Sequence, residues 1–267
     1  MSSFLSRIAV AIVGLPIVLG LVWAGGWWLF VLLALAGVVA VHEFVTMARP
    51  LRPLAPAVYI CAFLALLGAQ RGGVVWMLAG FLSSFVVAFA LQAVSRTRAP
   101  ATAAVGATML GAAWIGLGLA FLLLLRREHV EPRLLAFTVL LTVFAADTFA
   151  YFAGRLFGRH KMAPTLSPGK TWEGLTVGSL VGLFVAFISL YSDRSDYLKI
   201  WEALVLGIVV VLVAVAGDLF ESMLKRDMQV KDTGRLLGGH GGVLDRVDAL
   251  LFAAPAAYFL VLAFGYS

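Results

Sequence analysis

The chain has 267 residues, 62% of them hydrophobic and 13% charged, with a mean hydropathy of +1.01. An ordinary soluble domain is roughly 45–50% apolar and about 25% charged, so a water-soluble enzyme is excluded: a globule of this size has no interior for so much apolar side chain. Disorder is excluded by the same composition, and a disulfide scaffold by the single cysteine, Cys61. A polytopic membrane protein remains.

A membrane-crossing helix takes about 20 mostly apolar residues. The uncharged run 8–42, broken at Gly25-Gly26, predicts two helices joined by a tight turn. No small-residue cleavage site follows a short apolar core, so the start does not read as a removable signal peptide. Further apolar stretches lie at 54–70, 74–95, 102–125, 134–153, 174–191, 203–221 and 249–265, making nine spans. Arg71-Gly72-Gly73 is the weakest boundary among them. Trp27-Trp28 suits an interfacial anchor. The Gly-rich stretch 106–118 suits close helix packing or an oligomer contact, and a homodimer is expected on that ground. The expected fold is an all-α polytopic integral membrane protein with about nine transmembrane helices in one bundle. Residues 1–133 form scaffold helices, and 134–267 a catalytic region with loops 154–173 and 222–248, together one integrated domain.

Of the 14 acidic residues, only Glu43, Glu128 and Glu131 precede position 147, and the other 11 lie in 147–248. The net charge is +6. Nine spans put the N-terminus and the loops 46–53, 96–101, 154–173 and 222–248 on one side with 14 basic residues, against 6 on the other (Arg71, Arg126, Arg127, Arg133, Arg194 and Lys199). The positive-inside rule then places the N-terminus and both long polar loops in the cytoplasm of a cell-membrane protein. The C-terminus falls on the far side.

Residues 217–248 carry the densest chemistry. Asp218, Glu221, Ser222 and Lys225 stand at offsets 0, 3, 4 and 7, one face of a helix continuing out of the eighth span. Asp245 and Asp248 are spaced i, i+3 at the mouth of the ninth. Gly238-Gly239-His240-Gly241-Gly242, between these clusters, has the backbone N–H groups and conformational freedom that suit a phosphate. Magnesium takes oxygen ligands, one or two carboxylates together with substrate phosphates, and Asp218, Asp245 and Asp248 could supply a two-metal site. Lys225, Arg226, Lys231, Arg235 and Arg246 would offset phosphate charge. Ionisable groups at such depth are expensive and functional by default.

Loop 154–173 adds to this. Asp147 sits among Phe144, Ala145, Ala146, Phe149 and Ala150 and should face the bundle interior or a cavity. Arg155, Arg159, Lys161 and Lys170 make a basic strip. Ser167-Pro168-Gly169-Lys170-Thr171 reads as a rigid turn presenting an exposed lysine and hydroxyl. It is not a P-loop, which needs Gly where Pro164 stands. His42-Glu43 starts an HExxH pattern but Thr46 ends it, and GxSxG, GxGxxG and CxxC are absent.

These residues resemble the phosphatidate cytidylyltransferase family, also called CDP-diacylglycerol synthase. Its signature is matched at every specified position over 27 residues: Ser222, Leu224, Lys225, Arg226, Lys231, Asp232, Gly234, Leu237, Gly238, His240, Gly241, Gly242, Val243, Asp245, Arg246, Val247 and Asp248. Gly217-Asp218 and the run from Asp147 through Tyr151-Phe152, Gly154-Arg155 and Gly158 to Ser167-Pro168 and Lys170-Thr171-Trp172-Glu173-Gly174 are similar to it too. Two positions depart: the family commonly has a basic residue where Gly169 stands and proline where Gly238 stands.

The resemblance implies that CTP and phosphatidic acid are converted to CDP-diacylglycerol and pyrophosphate, with Mg²⁺ and a possible second cation as cofactors, membrane lipids as partners and no nucleic acid. It implies Asp218, Asp245 and Asp248 as metal ligands and Lys225 and Arg226 as further catalytic residues. Asp147, Arg155, Lys170, Ser222, Lys231, Asp232, His240 and Arg246 would bind substrate. Three rivals stand beside it. A CTP-dependent polyprenol or phytol kinase would yield CDP and a phosphorylated alcohol. An ion-coupled transporter predicts inverted repeats and polar residues in both halves, whereas 11 of the 14 acids lie in 147–248. A CDP-alcohol phosphotransferase needs a DGxxAR motif that is not present.

Overall fold

The structure, a computed structural model, describes residues 3–94, 100–127, 131–191, 198–234 and 241–266. Among them, seven helices are long and apolar enough to cross a membrane. The chain is thus a multi-pass, mainly α-helical membrane protein. The difference from the expected nine lies at α1 (Ser3–Ala24), of which only Gly14–Ala24 enters as a shorter apolar helix, and at α3, which counts once. The chain divides into two compact units, residues 1–127 with 227–247 and residues 128–226 with 248–267.

The first unit holds α1, α2 (Gly26–Met47), α3 (Ala55–Val94), and a continuous span of α4 (Ala101–Gly111), a π-helical stretch (Ala112–Leu117) and α5 (Gly118–Leu125). A straight helix of 40 residues would run about 60 Å, twice the hydrocarbon thickness. It therefore folds back at Gly72 and Gly73, the latter at φ +68°, which only glycine adopts freely. A Cβ on Gly68 would lie 2.3 Å from the Trp76 carbonyl oxygen and one on Gly80 2.5 Å from that of Leu64, so the two halves lie antiparallel in close contact. The predicted break is thus a hairpin. The α4–α5 span is the most buried, 72% of its apolar window against 17% for α3, and forms the unit's centre, with Ile115, Leu119, Leu123 and Leu124 fully buried.

Arg126 and Arg127 follow α5 and act as helix caps. Arg126 donates to the carbonyl oxygens of Val22 (2.9 Å) and Trp23 (2.8 Å), Arg127 to those of Ala69 (2.5 Å) and Gln70. These carbonyls end α1 and the first half of α3, where no backbone N–H is left to pair with them.

The second unit holds α6 (Pro132–Phe157), strands β1 (Lys161–Ala163) and β2 (Ser167–Thr171), α7 (Trp172–Tyr191), α8 (Ile200–Asp227) and most of α9 (Leu244–Ala263). Residues 161–171, expected as loop, form an antiparallel hairpin pairing Lys161 with Thr171 and Ala163 with Ser167. The Thr171 hydroxyl is not exposed as expected. It is buried and accepts the Gly174 N–H at 3.1 Å, an N-cap for α7. α7 then turns Gly174, Gly178 and Gly182 towards α6. A Cβ on Gly174 would lie 2.6 Å from the Ala150 carbonyl oxygen, and one on Gly178 2.5 Å from that of Ala146. Lipid gives helices no hydrophobic reason to associate, and small residues that let backbones touch supply the packing instead.

Gly178→Val should lower the thermal midpoint of the detergent-solubilised protein sharply, by overpacking worth about 1–3 kcal/mol or more. Gly106→Ala, at a position with nothing within 4 Å of a new Cβ, should leave it unchanged. Equal midpoints for the two variants would refute the close-approach account.

Candidate active site

In the second unit a cavity of about 620 Å³ lies among α6, the hairpin, α7 and α8. α6 contributes Asp147, Tyr151 and Arg155, one helical face at i, i+4 and i+8. The hairpin contributes Lys161, Ser167 and Lys170, and α8 contributes Asp218. Asp147 thus faces a cavity, as its sequence context required. The volume falls within the range of small-ligand pockets, and its walls combine small apolar residues with three basic and two acidic side chains.

Lys170 and Asp218 form an ion pair at 2.5 Å, with side chains 21% and 30% exposed. Arg155 donates to the Tyr151 hydroxyl at 3.2 Å, which holds its guanidinium along the helix. One turn beyond Asp218, Glu221 is 1% exposed and takes Lys225 as its partner at 2.7 Å. Ser222 is buried beside it. Arg226 donates its Nε–H to the Leu166 carbonyl at 3.2 Å, tying the end of α8 to the hairpin turn.

Asp248 joins this group from α9. Its carboxyl is buried and lies within electrostatic reach of Glu221 and Asp218. The approach depends on Gly217: a Cβ there would meet the Asp248 carbonyl oxygen and Phe252 at 3.0 Å. Carboxyl groups crowded in this way repel one another, and a cation beside them would relieve that repulsion. Among the described residues no three His, Cys, Asp or Glu side chains already stand in metal-binding geometry.

The remaining sequence candidates belong to the first unit. Lys231, Asp232 and Arg246 are exposed. Asp245 folds back on its own loop, its Oδ2 accepting the N–H groups of Gly242 at 2.7 Å and Thr233 at 3.1 Å. With the Gly242 N–H so engaged, that end of the glycine run does not offer it to a phosphate. His240, Arg235 and Gly238 lie outside the described residues.

The sequence reading gave no role to three carboxylates. For Glu221 the spacing gives only a place on the α8 face, within reach of a ligand shared with Asp218, and not its burial. Glu173 accepts both the backbone N–H of His160 (3.2 Å) and its ring Nδ1 (2.6 Å), closing the base of the hairpin. Only its position just inside a helix, beside a basic loop, hinted at this. Glu43 was set aside with the failed HExxH pattern; it accepts from Val243 and Leu244, 200 residues away, a pairing that no local signal shows.

The cytidylyltransferase family profile matches residues 5–264. A phosphatidate cytidylyltransferase of Mycobacterium bovis is 35% identical over 269 residues, covering 93% of this chain and 85% of the relative. One from Staphylococcus haemolyticus is 31% identical over 260 residues, covering 96% and 98%. One from Haemophilus influenzae is 45% identical over a shorter stretch of 130 residues, covering 46% and 45%.

A partly exposed ion pair contributes less than about 1 kcal/mol to stability. Lys170→Met should therefore melt within a few degrees of the parent protein. A collapse of folding on that substitution would make the Lys170–Asp218 pair a structural strut instead of a site feature.

Proposed function

The chain belongs to the cytidylyltransferase family, and we propose that its second-unit cavity is where the cytidylyl group of CTP passes to phosphatidic acid, giving CDP-diacylglycerol and pyrophosphate. The observation that carries the reading is the joining of Asp147, Arg155, Lys170 and Asp218 in one cavity, with Asp248 and Glu221 close behind.

The reaction needs little activation. A phosphatidic acid oxygen, already ionised near neutral pH (a phosphomonoester has its second pKa near 6), forms a bond to the α-phosphorus of CTP. The bond from that phosphorus to the bridging oxygen breaks, and the electron pair leaves with pyrophosphate. The difficulty is electrostatic: two anions must meet and a third must depart. Lys170, Arg155 and Lys161 face the cavity to take up that charge. The Asp218 carboxylate holds the Lys170 ammonium in place, and Arg155 is braced by Tyr151. Lys225 and Arg226 stand on the same helix as Asp218, and for Lys231, Asp232 and Arg246 the substrate-binding role rests on the family resemblance alone.

The donor set fits Mg²⁺: Asp218 and Asp248, with Glu221 adjacent, offer oxygen only, and two of the three are buried and crowded enough to favour a cation between them. Bound there, the ion would neutralise triphosphate charge. Asp245 is assigned instead to shaping its loop, because its Oδ2 already takes two backbone N–H groups. The active site faces the cytoplasm, on the strength of the basic excess on that side. The diacyl tails of the lipid stay in the bilayer and enter sideways between helices, past exposed Tyr151, Phe152 and Leu156.

Purified protein given labelled CTP, phosphatidic acid and Mg²⁺ should move label into the lipid phase and release pyrophosphate, and chelation should stop both. CDP together with a phosphorylated alcohol, or no lipid label at all, would overturn the reading. Asp218→Asn should lower kcat by about 10²-fold or more while the protein stays folded; near-normal turnover in that variant would remove the metal-site proposal. Gly169 lines the cavity and a Cβ there meets nothing within 4 Å, so Gly169→Lys should lower the KM for CTP, and a raised KM would show that the open position serves another purpose.

A further inference from the structure

Glu43 stands near the end of α2, 4% exposed. Its Oε1 accepts the Val243 N–H at 3.0 Å and its Oε2 the Leu244 N–H at 2.8 Å, the groups that open α9. A helix start leaves such N–H groups without intrahelical partners, and a carboxylate is the acceptor that suits them best. The partner here comes from another helix 200 residues earlier. Two glycines make room for it. A Cβ on Gly234 would lie 2.3 Å from the Glu43 Oε1, and one on Gly242 would lie 2.5 Å from its Oε2. On the other side of the loop, the Asp245 carboxylate takes the N–H groups of Thr233 and Gly242. Asp245 thus ties Thr233 to Gly242 and Glu43 holds the next two residues, with Lys231, Asp232 and Arg246 within two residues of these tied positions.

We propose that Glu43 is a positioning residue for the reaction: a clasp from the N-terminal helices that fixes the start of α9 and the residues tied to it, and so the placement of the neighbouring Lys231 and Arg246. The inference rests on the reaction proposed above. It also gives Gly234 and Gly242 a definite task, that of seating a protein carboxylate. A glutamine in place of Glu43 keeps the shape but has one acceptor oxygen and one NH₂ group, which would face a backbone N–H donor to donor.

The test uses the full-length protein in detergent, with Glu43→Gln, Gly234→Ala and the double variant Glu43→Ala/Gly234→Ala beside Glu43→Ala. Glu43→Gln should speed trypsin cleavage after Lys231 in the absence of substrate. It should also lower kcat/KM for CTP by about 10²-fold, the scale of a misplaced binding group, and leave the KM for phosphatidic acid unchanged. A purely structural role would instead lower the amount of active enzyme and leave the KM for CTP as it was. Gly234→Ala should be as damaging as Glu43→Ala, and the double variant no worse than either, because both changes break one contact. Additive losses, unchanged cleavage, or a parental kcat/KM for CTP in Glu43→Gln would each overturn the clasp. Failure of the reaction reading shows separately, as lack of lipid label from the parent protein, and cleavage with the additivity of melting shifts then still decides for or against the clasp.

Discussion

α7 runs along α6 with Gly174 and Gly178 against the carbonyl oxygens of Ala150 and Ala146, and the cavity residues hang from this pair. Asp147 and Arg155 project from α6, and Lys170 stands two residues before α7, at the end of a strand whose last residue caps that helix. A backbone-to-backbone contact leaves no long side chain to change rotamer, so the separation of the two helices is narrowly fixed. The proposed opposition of these charged groups to phosphate oxygens would need such a frame, because electrostatic stabilisation depends on donors that do not have to move.

The acids divide by what answers them. Glu202 accepts the Lys199 N–H and the Tyr266 hydroxyl, Glu173 takes two groups of His160, and Asp245 and Glu43 take backbone N–H groups. These satisfy local backbone at element ends, a task that is severe where water is excluded. Asp218, Glu221 and Asp248 differ: they crowd one another and draw on the ammonium groups of Lys170 and Lys225. Bringing carboxyl groups together costs free energy that nothing in the fold requires, and it is this group that stands out as chemical.

Much of this was legible in the residue order. Apolar runs of span length give the helices directly, and the i, i+3, i+4, i+7 spacing of Asp218, Glu221, Ser222 and Lys225 survives in α8, where Glu221 and Lys225 pair. Asp147, alone in charge among aromatic and alanine neighbours, faces the cavity. What stayed hidden was non-local. Ser167–Thr171, expected as a rigid turn, is instead strand β2, and the turn falls at 164–166, because the pairing of Lys161 with Thr171 depends on where α6 ends and α7 begins. The glycine spacing 174, 178, 182 reads as a packing stripe as clearly as the Gly-rich stretch 106–118, where Gly111 and Gly116 meet Phe44 and Ala62 while Gly106 meets nothing. The link from Glu43 to Val243 and Leu244 has no periodicity to betray it.

The glycines of 217–248 show how one residue type serves different physical ends. Gly217 lets α9 approach α8, which brings Asp248 towards Asp218 and Glu221. Gly241, at φ +77°, takes a backbone conformation closed to most side chains. Gly234 and Gly242 leave space for a carboxylate. A glycine-rich run invites the view that its N–H groups cradle phosphate, as in nucleotide-binding loops. Here the N–H groups of Gly242, Val243 and Leu244 all donate to Asp245 or Glu43. While so engaged those three do not meet a triphosphate, so in the reaction proposed here the balance of its charge would fall on ammonium and guanidinium groups and on any cation held by the acids. On the proposed reaction that division accounts for the residue inventory: a chain that is 13% charged overall concentrates lysine, arginine and aspartate in two loops and would need no nucleophilic serine or cysteine, because the lipid would bring its own nucleophile.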